Sequence, residues 1–552
     1  MLNRLLICFL LVSCTVAKKS TTSEDAVVLS NLHKHIEYLA SDKLEGRRTG
    51  TAGEKLAAVY ISEDFKNEGL KPAGTEGYLQ NFQVNEGKQV NSTTFFTIDG
   101  KNLQLNTDFY PLTFSANATV EGLPSIALQE KGLPWFFDVE DLLEQNASNP
   151  HFDLYSAVLT KAKAAQAKGA TAFIIYNTSK ADDGLTFQAT DRTAALNIPV
   201  VYVTKAAARN YLKDPSAMVD MKLRTDIGPK IRTGSNVIGM IDNGATTTVV
   251  LGAHFDHLGL GEDRNSLYTG VQPQIHNGAD DNASGTAALM ELARLLKGSA
   301  AKNNNYLFIA FSGEEEGLYG SKYFTEHPTV PLNTINYMIN MDMVGRLNDS
   351  TSVVTLGGYG TSPEWGQLFS STTSNKVFTD HLNFRFDSSG TGPSDHMSFY
   401  LKNIPVLFYF TGLHKDYHKP TDDADKINYT GELNIIKHIN DLVQTIDRNK
   451  TKLAFAKTRD TQASTTARFS VTLGIMPDYT YSGEGVRVDG VSENRPAEKA
   501  GLKVGDVVIG LGDIKINSME SYMQALGKFK KGDKTVVKFI RGNQTLSSSV
   551  EF

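Results

Sequence analysis

The pattern of apolar positions along the chain predicts an α/β protein. Apolar residues recur every three to four positions over 28–39 and again over 52–69, which is typical of one buried helix face. Short apolar runs bounded by loops predict buried strands, at 172–176, 198–203, 249–253, 306–311, 335–341 and 405–410. Because such strands alternate with helices, we expect a mostly parallel central sheet with helices on both faces.

The pattern of apolar and polar residues changes at three places along the chain. Between about 105 and 230 an Ala-rich helix, Val158–Lys168, precedes two apolar strands and forms a small α/β unit without a catalytic cluster. From Ser235 the pattern alternates between strand, loop and helix. Lys457–Thr466 reads as a polar linker, and residues 467–552 form a separate, β-rich domain of short strands.

The amino terminus predicts export. One positive charge at Arg4 is followed by an apolar run over 5–12, which is the length of a signal peptide and too short to span a bilayer. The residues before Cys14 resemble the cleavage site of bacterial lipoproteins, so residues 1–13 would be removed and Cys14 lipidated. A plain secretory signal is the alternative. We expect a periplasmic or cell-surface protein that contacts the membrane only through this lipid.

Composition limits the partners and the metal-binding residues that the chain can use. The 552 residues are 40% hydrophobic and 21% charged, with a net charge of −6, so the chain is typical of a soluble globular protein and nucleic acid is not expected as a partner. Both cysteines, Cys8 and Cys14, lie at the amino terminus. A disulfide framework and a Cys-rich zinc site are therefore excluded, and a metal would have to be held by His, Asp and Glu.

Acidic and imidazole side chains follow successive predicted strands. In an open α/β sheet, ligands bind outside the carboxyl ends of the strands, so these side chains are expected to meet. Two imidazoles and several carboxylates suit a zinc-type hydrolytic site with one or two ions. Neighbouring side chains diverge on a loop, so Glu314 and Glu315 can serve different roles. The segments are His254–Asp256, Gly278–Gly285, Ser312–Gly317, Asn340–Asp342 and Asp416–His418.

These segments resemble metallopeptidase family 28 (clan MH), the family of co-catalytic zinc aminopeptidases. Leu39–Arg48 is similar to the opening of that family, so the resemblance implies a zinc exopeptidase fold interrupted by an insert, with the peptidase domain at 28–110 and 232–450. It also implies two Zn²⁺ ions and peptide substrates. The implied ligands are His254 and Asp342 for one ion, Glu315 and His418 for the other, and Asp281 as the bridge.

The resemblance further implies three catalytic roles. Glu314 would be the general base for a metal-bridging water, and Asp256 would hydrogen-bond the far nitrogen of His254 to fix its tautomer. Tyr417 matches a position that stabilises the tetrahedral oxyanion in some family members. The block Ser394–Phe399 lies near the substrate pocket in the family, where Asp395 and His396 would support the site rather than bind metal.

Two accessory domains are also implied. Residues 111–231 resemble a protease-associated insert, which shapes substrate access in such exopeptidases, and any small α/β insert is the alternative. Residues 467–552 resemble a PDZ domain, with Leu473, Gly474 and Ile475 as the candidate loop for a peptide carboxylate. This domain would bind protein C-termini, or it would be a structural appendage.

The function expected from the sequence is that of a zinc-dependent aminopeptidase. A glutaminyl cyclase with one zinc or a carboxypeptidase on the same fold is the alternative among enzymes. A non-catalytic binding protein, as in the transferrin receptor branch, is the alternative outside them. The complete set of five ligand positions, together with Glu314, argues against that last alternative.

Overall fold

A computed structural model describes most of the chain from residue 19 onwards. The predicted signal peptide and Cys14 lie outside the described residues, in which no helix is long and apolar enough to cross a membrane. The chain forms two compact units, one comprising 85–232 and the other the residues on both sides. The description covers 19–552 apart from 148, 150–151, 190, 192, 264, 269, 370–381, 459–470, 478–480, 482, 492–494, 518 and 543.

The larger unit is built on a nine-stranded mixed sheet. Its four central strands, in the order β13-β12-β14-β17, are parallel, and antiparallel strands flank them on both sides. The full order is β1-β11-β13-β12-β14-β17-β15-β16, and β2 pairs with β11. The strands are β1 Lys71–Pro72, β2 Leu79–Val90, β11 Ile227–Ile241, β12 Thr248–His254, β13 Asn305–Phe311, β14 Ile335–Met341, β15 Val353–Gly357, β16 Asn383–Phe386 and β17 Val406–Phe410.

Helices cover both faces of this sheet. Leu307 and Phe308 are neighbours on β13 but belong to different apolar cores, as expected for side chains that alternate across a strand. One core packs against α1, α2, α6 and α10, and the other against α7 and α9. The predicted fold class is confirmed. The helices are α1 Lys19–Leu39, α2 Ala52–Asn67, α6 Gly285–Lys297, α7 Tyr319–Glu326, α8 Pro363–Phe369, α9 His396–Tyr400 and α10 Tyr429–Arg448.

The register of the parallel strands sets where the site forms. His254 lies opposite Phe311, the last residue of β13, and Asn340 of β14 lies opposite Phe408 of β17. Since parallel strands end at a common edge, the loops that follow β12, β13, β14 and β17 leave the sheet side by side.

The second unit contains two four-stranded sheets. This unit begins at Asn85, ahead of residue 111, where the sequence placed the start of the insert. Strand β3, at 95–98, precedes residue 111 but pairs with β10, at 221–225, which lies within the predicted insert. Helix α4 begins at an Asp153 cap and ends at Gly169, whose φ is 95°. The elements are β3 Phe95–Ile98, β4 Lys101–Leu103, β5 Phe109–Pro111, β6 Ala118–Gly122, β7 Trp135–Asp138, α3 Glu140–Gln145, α4 Leu154–Lys168, β8 Phe173–Tyr176, β9 Val200–Val203, α5 Lys205–Tyr211 and β10 Met221–Thr225.

The carboxy-terminal region has its own sheet and core. The strand order is β18-β19-β20-β22-β23, with β21 paired to β20, and the pairings are antiparallel. Leu473, Val508 and Phe539 belong to the buried cluster beneath it. The elements are β18 Ile475–Pro477, β19 Val486–Val491, α11 Pro496–Lys499, β20 Val507–Leu511, β21 Ile514–Lys515, α12 Met519–Leu526, β22 Lys534–Arg541 and β23 Gln544–Glu551.

Candidate metal centre

His254 is the last residue of β12 and is almost completely buried. Its Nε2 lies 3.3 Å from Asp342 Oδ1 and 3.4 Å from Asp281 Oδ1. Its Nδ1 lies 3.2 Å from the backbone carbonyl of Asp256, to which it can donate a proton. That hydrogen bond would leave Nε2 unprotonated and directed at the carboxylates, as a metal ligand requires.

Asp281 stands between two imidazoles. Its Oδ1 faces His254, while its Oδ2 lies 3.3 Å from Nε2 of His418. The buried carboxylate of Asp422 holds this loop, because its Oδ2 accepts hydrogen bonds from the backbone amides of Asp280 and Asp281 at 2.9 and 3.0 Å. The arrangement presents the two oxygens of one carboxylate to two separate clusters.

The second cluster forms around His418, in the loop after β17. Its Nε2 lies 3.3 Å from Glu315 Oε2, on the loop after β13. Its Nδ1 lies 2.7 Å from the backbone carbonyl of Asn265, and the side-chain amide of Asn265 donates to the backbone carbonyl of Glu315 at 3.0 Å. His254 and His418 are therefore each oriented by a backbone carbonyl at Nδ1.

Asp342 follows β14 and offers only one oxygen to the first cluster. Its Oδ1 faces His254, and its Oδ2 accepts a hydrogen bond from the Ser394 hydroxyl at 2.8 Å. Asn340 in turn donates to the Ser394 hydroxyl at 2.8 Å. The block around Ser394 thus fixes the orientation of a predicted ligand.

The spacing of these atoms fits zinc. Tetrahedral coordination at about 2.0–2.1 Å places neighbouring ligand atoms about 3.3 Å apart, and the separations around His254 and His418 are 3.3 and 3.4 Å. The donors are nitrogen and oxygen without sulfur. Burial lowers the pKa of His254, but the carboxylates of Asp342 and Glu314 outweigh burial and raise the pKa well above its usual range, so this cluster favours a bound cation, either a proton or a metal ion.

One member of the second cluster was missed from the sequence. His257 is buried, its Nδ1 lies 2.6 Å from Glu315 Oε1, and its Nε2 has no hydrogen-bond partner among the described residues. His257, Asp281 and Glu315 lie close enough together to hold an ion. His257 directly follows the segment His254–Asp256 in the sequence, so its position three residues after His254 was the available signal.

Glu314 faces the first cluster without joining it. Its Oε2 lies 3.9 Å from His254 Nε2. Burial raises the pKa of Glu314 well above its usual range, although His254 lowers it, and the nearby Asp342 and Glu315 raise it further. A carboxylate with such a raised pKa is suited to accept a proton near neutral pH.

Asp256 makes different contacts from those predicted. Its carboxylate Oδ1 lies 3.6 Å from Nδ1 of His254, farther than its own backbone carbonyl. The carboxylate instead accepts hydrogen bonds from the backbone amides of Glu314 and Glu315 at 3.2 and 3.4 Å, and from the Thr49 hydroxyl at 3.1 Å. Asp256 therefore fixes the backbone that carries the two adjacent glutamates.

Three further predicted residues lie beside the site. The ring of Tyr417 stacks on His418 at 3.8 Å, and burial, followed by nearby carboxylates, raises the pKa of Tyr417 well above its usual range, so it remains a phenol. Asp395 is buried, and burial raises its pKa to about 7. Burial lowers the pKa of His396 to about 3, and its ring stacks on Phe408.

The domain matches agree with this organisation. Residues 236–443 match the model of peptidase family M28, residues 110–211 match that of the PA domain, and residues 457–552 match that of the PDZ domain. The chain therefore carries a peptidase M28 domain, a PA domain and a carboxy-terminal PDZ domain, which confirms the resemblance seen in the sequence, and it is a metallopeptidase.

The individual relatives of this chain share a quarter or less of its residues over the aligned length. Aminopeptidase YwaD of Bacillus subtilis is 25% identical over 437 residues, which cover 75% of this chain and 86% of that protein. The probable lipoprotein aminopeptidase LpqL of Mycobacterium tuberculosis is 25% identical over 457 residues, covering 75% and 83%. A solved structure of BSAP, a zinc aminopeptidase from Bacillus subtilis, is 21% identical with a TM-score of 0.41, covering 79% of this chain and 97% of that one.

Proposed function

We propose that this protein is an aminopeptidase that holds two Zn²⁺ ions and removes the amino-terminal residue of peptides. The observation that carries the proposal is the placement of Asp281, whose two oxygens face His254 and His418 separately. Asp342 would complete the first ion site and Glu315 the second. When bound, the two ions would supply a Lewis acid and lower the pKa of the attacking water.

The protein's own groups would move the protons. Glu314 would accept a proton from the attacking water and return it to the nitrogen of the leaving amine as the C–N bond breaks. Tyr417 would donate a hydrogen bond to the oxygen of the scissile carbonyl as negative charge develops there. Asp256 would keep Glu314 and Glu315 in place through their backbone amides.

Metal analysis and substrate comparison test this function together. We expect about two zinc ions per chain, hydrolysis of chromogenic amino-acid amides, loss of activity with a chelator and recovery with zinc. Peptides with a blocked amino terminus should not be cleaved. About one zinc per chain, with cyclisation of N-terminal glutamine, would instead indicate a glutaminyl cyclase, and release of C-terminal residues a carboxypeptidase.

We also propose that the PDZ domain binds peptide C-termini. Strand β18 is an outer strand of the described sheet, to which a peptide strand could be added, and Gly474 immediately before it has a φ of 82°, a conformation that glycine allows in a tight loop. Labelled peptides with a free carboxylate should bind to the Glu314→Gln variant, which is expected to cleave them far more slowly than the wild-type protein. Equal binding of the same peptides with an amidated C-terminus would contradict this role.

A lipid anchor on Cys14 is our proposal for localisation. The residues before Cys14 resemble a lipoprotein cleavage site, and one relative is described as a probable lipoprotein. Metabolic labelling with palmitate should mark the wild-type protein and not Cys14→Ala. Export of an unlabelled wild-type protein would favour a plain secretory signal.

A further inference from the structure

An arginine from the first segment of the peptidase unit is buried beneath the metal centre. Arg47 is 1% exposed and lies outside the matched stretch 236–443. Its guanidinium donates to backbone carbonyls: Nε to Phe255 at 2.7 Å, and Nη2 to Gly278 at 3.0 Å. Nη1 donates to the carbonyls of Asn277, at 2.6 Å, and of Leu39.

Three of the four acceptors, the carbonyls of Phe255, Asn277 and Gly278, lie on the two loops that carry predicted ligands, and the fourth, Leu39, ends α1. Phe255 directly follows His254, and Gly278 lies three residues before Asp281. A guanidinium is planar and its N–H groups have fixed directions, so a single side chain sets the relative position of both loops. A lysine has one ammonium group and cannot reproduce this fork.

The backbone around Arg47 is hydrogen-bonded to the loop that follows His254. The amide of His257 donates to the Arg47 carbonyl at 3.4 Å, and the amide of Gly259 donates to the Gly46 carbonyl at 3.1 Å. Gly46 has a φ of 69°, and a Cβ atom there would lie 2.5 Å from the Gly259 carbonyl oxygen. This close approach explains why glycine precedes the arginine.

The charge of Arg47 also suits its position. Burial lowers its pKa to about 10, while the carboxylates of Asp256, Asp281 and Asp422 raise it, so the guanidinium stays cationic at neutral pH. A permanent positive charge close to the site reduces the repulsion among its carboxylates.

We propose that Arg47 is a positioning residue that holds the loops of His254 and Asp281 at the separation required for zinc. The inference rests on the proposed function, because it assumes that these residues bind the ions. Groups that orient metal ligands typically contribute about 10- to 100-fold to metal affinity. Arg47 would act in this way through the backbone, without touching a ligand side chain.

The test is the zinc affinity of Arg47→Lys, measured by competition with a chromophoric chelator. We expect the affinity to fall about 10- to 100-fold, and saturating zinc to recover only part of the turnover. Added methylguanidinium should restore zinc affinity to Arg47→Ala, which a purely structural role would not explain. Arg294→Lys is the matched control, since the Arg294 guanidinium donates hydrogen bonds to Glu291 and Glu24, which are not part of the metal centre.

Two outcomes separate this inference from the proposed function. A wild-type protein that binds no zinc contradicts the function itself. A wild-type protein that binds zinc, with Arg47→Lys within threefold of its affinity and lower only in unfolding temperature, overturns the positioning role alone. If Arg47→Lys does not fold, the zinc affinity of Gly46→Ala is measured instead, because this variant keeps the guanidinium but displaces its segment. An affinity within threefold of the wild-type value then overturns the positioning role.

Discussion

Two of the three imidazoles of the metal centre have one nitrogen assigned by the backbone, whereas Nδ1 of His257 contacts the Glu315 carboxylate. His254 and His418 face the carbonyls of Asp256 and Asn265 through Nδ1, so Nε2 of both is directed at the carboxylates. The sequence was sufficient to predict these two histidines, because their positions after strands are visible in it. It was insufficient for the carbonyl partners, since any residue supplies a carbonyl and only the folded loop places one.

The role of Glu314 can be separated from metal binding. Glu314→Gln removes the proton acceptor and keeps the shape of the side chain, so we expect zinc content to stay at the wild-type level while kcat falls about 10²- to 10⁴-fold. Steady-state kinetics and metal analysis check this. The exposed Glu326 provides the matched control, Glu326→Gln, which should retain wild-type kinetics; a Glu314→Gln enzyme with near-normal kcat would refute the assignment.

Tyr417 is expected to act only as charge develops on the carbonyl oxygen. Tyr417→Phe removes the hydroxyl and keeps the ring stacked on His418, so kcat should fall by about 10²-fold with little change in KM. Because burial raises the pKa of Tyr417 well above its usual range, the wild-type enzyme should show no loss of activity from its ionisation below about pH 10. A rise in KM with unchanged kcat would indicate a substrate-binding role instead.

At the scale of elements, the apolar runs were enough to predict the central strands and the edge where their loops meet. They were not enough to predict the antiparallel strands β11 and β15, because pairing direction depends on how the chain returns to the sheet. The short helix α9 shows the same limit. The block Ser394–Phe399, which contains most of α9, is visible in the sequence, but the hydrogen bond from Ser394 to Asp342 depends on packing between β14 and α9.

Loss of the Ser394 hydroxyl should weaken the first ion site. Ser394→Ala leaves Asp342 Oδ2 without its donor, and we expect zinc affinity to fall about tenfold, with activity recovered at high zinc concentration. Zinc titration of the chelated protein measures this. Ser350 is exposed on a turn, so Ser350→Ala should titrate as the wild-type protein does; coincident curves for both variants would refute the role of Ser394.

Helix α2 carries a buried carboxyl group that should make stability depend on pH. Glu54 accepts a hydrogen bond from the Ser235 amide at 2.9 Å, and burial raises its pKa from 4.5 to about 7. Since the folded state binds this proton more tightly, its contribution is complete below about pH 4.5 and is lost as the pH rises through 7. The loss is on the order of 3 kcal/mol.

Glu54→Gln should remove this dependence. The difference in free energy of unfolding between Glu54→Gln and wild type should therefore shift in favour of the variant between pH 5 and pH 8, as measured by urea unfolding of the chelated protein. The exposed Glu326→Gln variant should keep the wild-type pH dependence. A difference that stays constant with pH would show that Glu54 ionises normally in the folded protein.

At the scale of the whole molecule, metal binding should be visible as stability. Zinc at about 1,000 times its dissociation constant stabilises a folded protein by about 4 kcal/mol per site, so a chelator should lower the unfolding temperature of the peptidase transition by about 5–15 °C. Differential scanning calorimetry measures this. His254→Ala should show a smaller shift, and an equal shift in both proteins would place the stabilising ion elsewhere.

The metal centre collects side chains from distant parts of the chain, and this imposes an order of events on its formation. Arg47, Asp281 and His418 are separated by most of the peptidase sequence, and the second compact unit is inserted between the first two. Contacts between such distant segments form late because long loops must close first. A nascent chain therefore cannot assemble the metal centre until synthesis has passed His418, so proteolytic activity cannot arise before that point of synthesis.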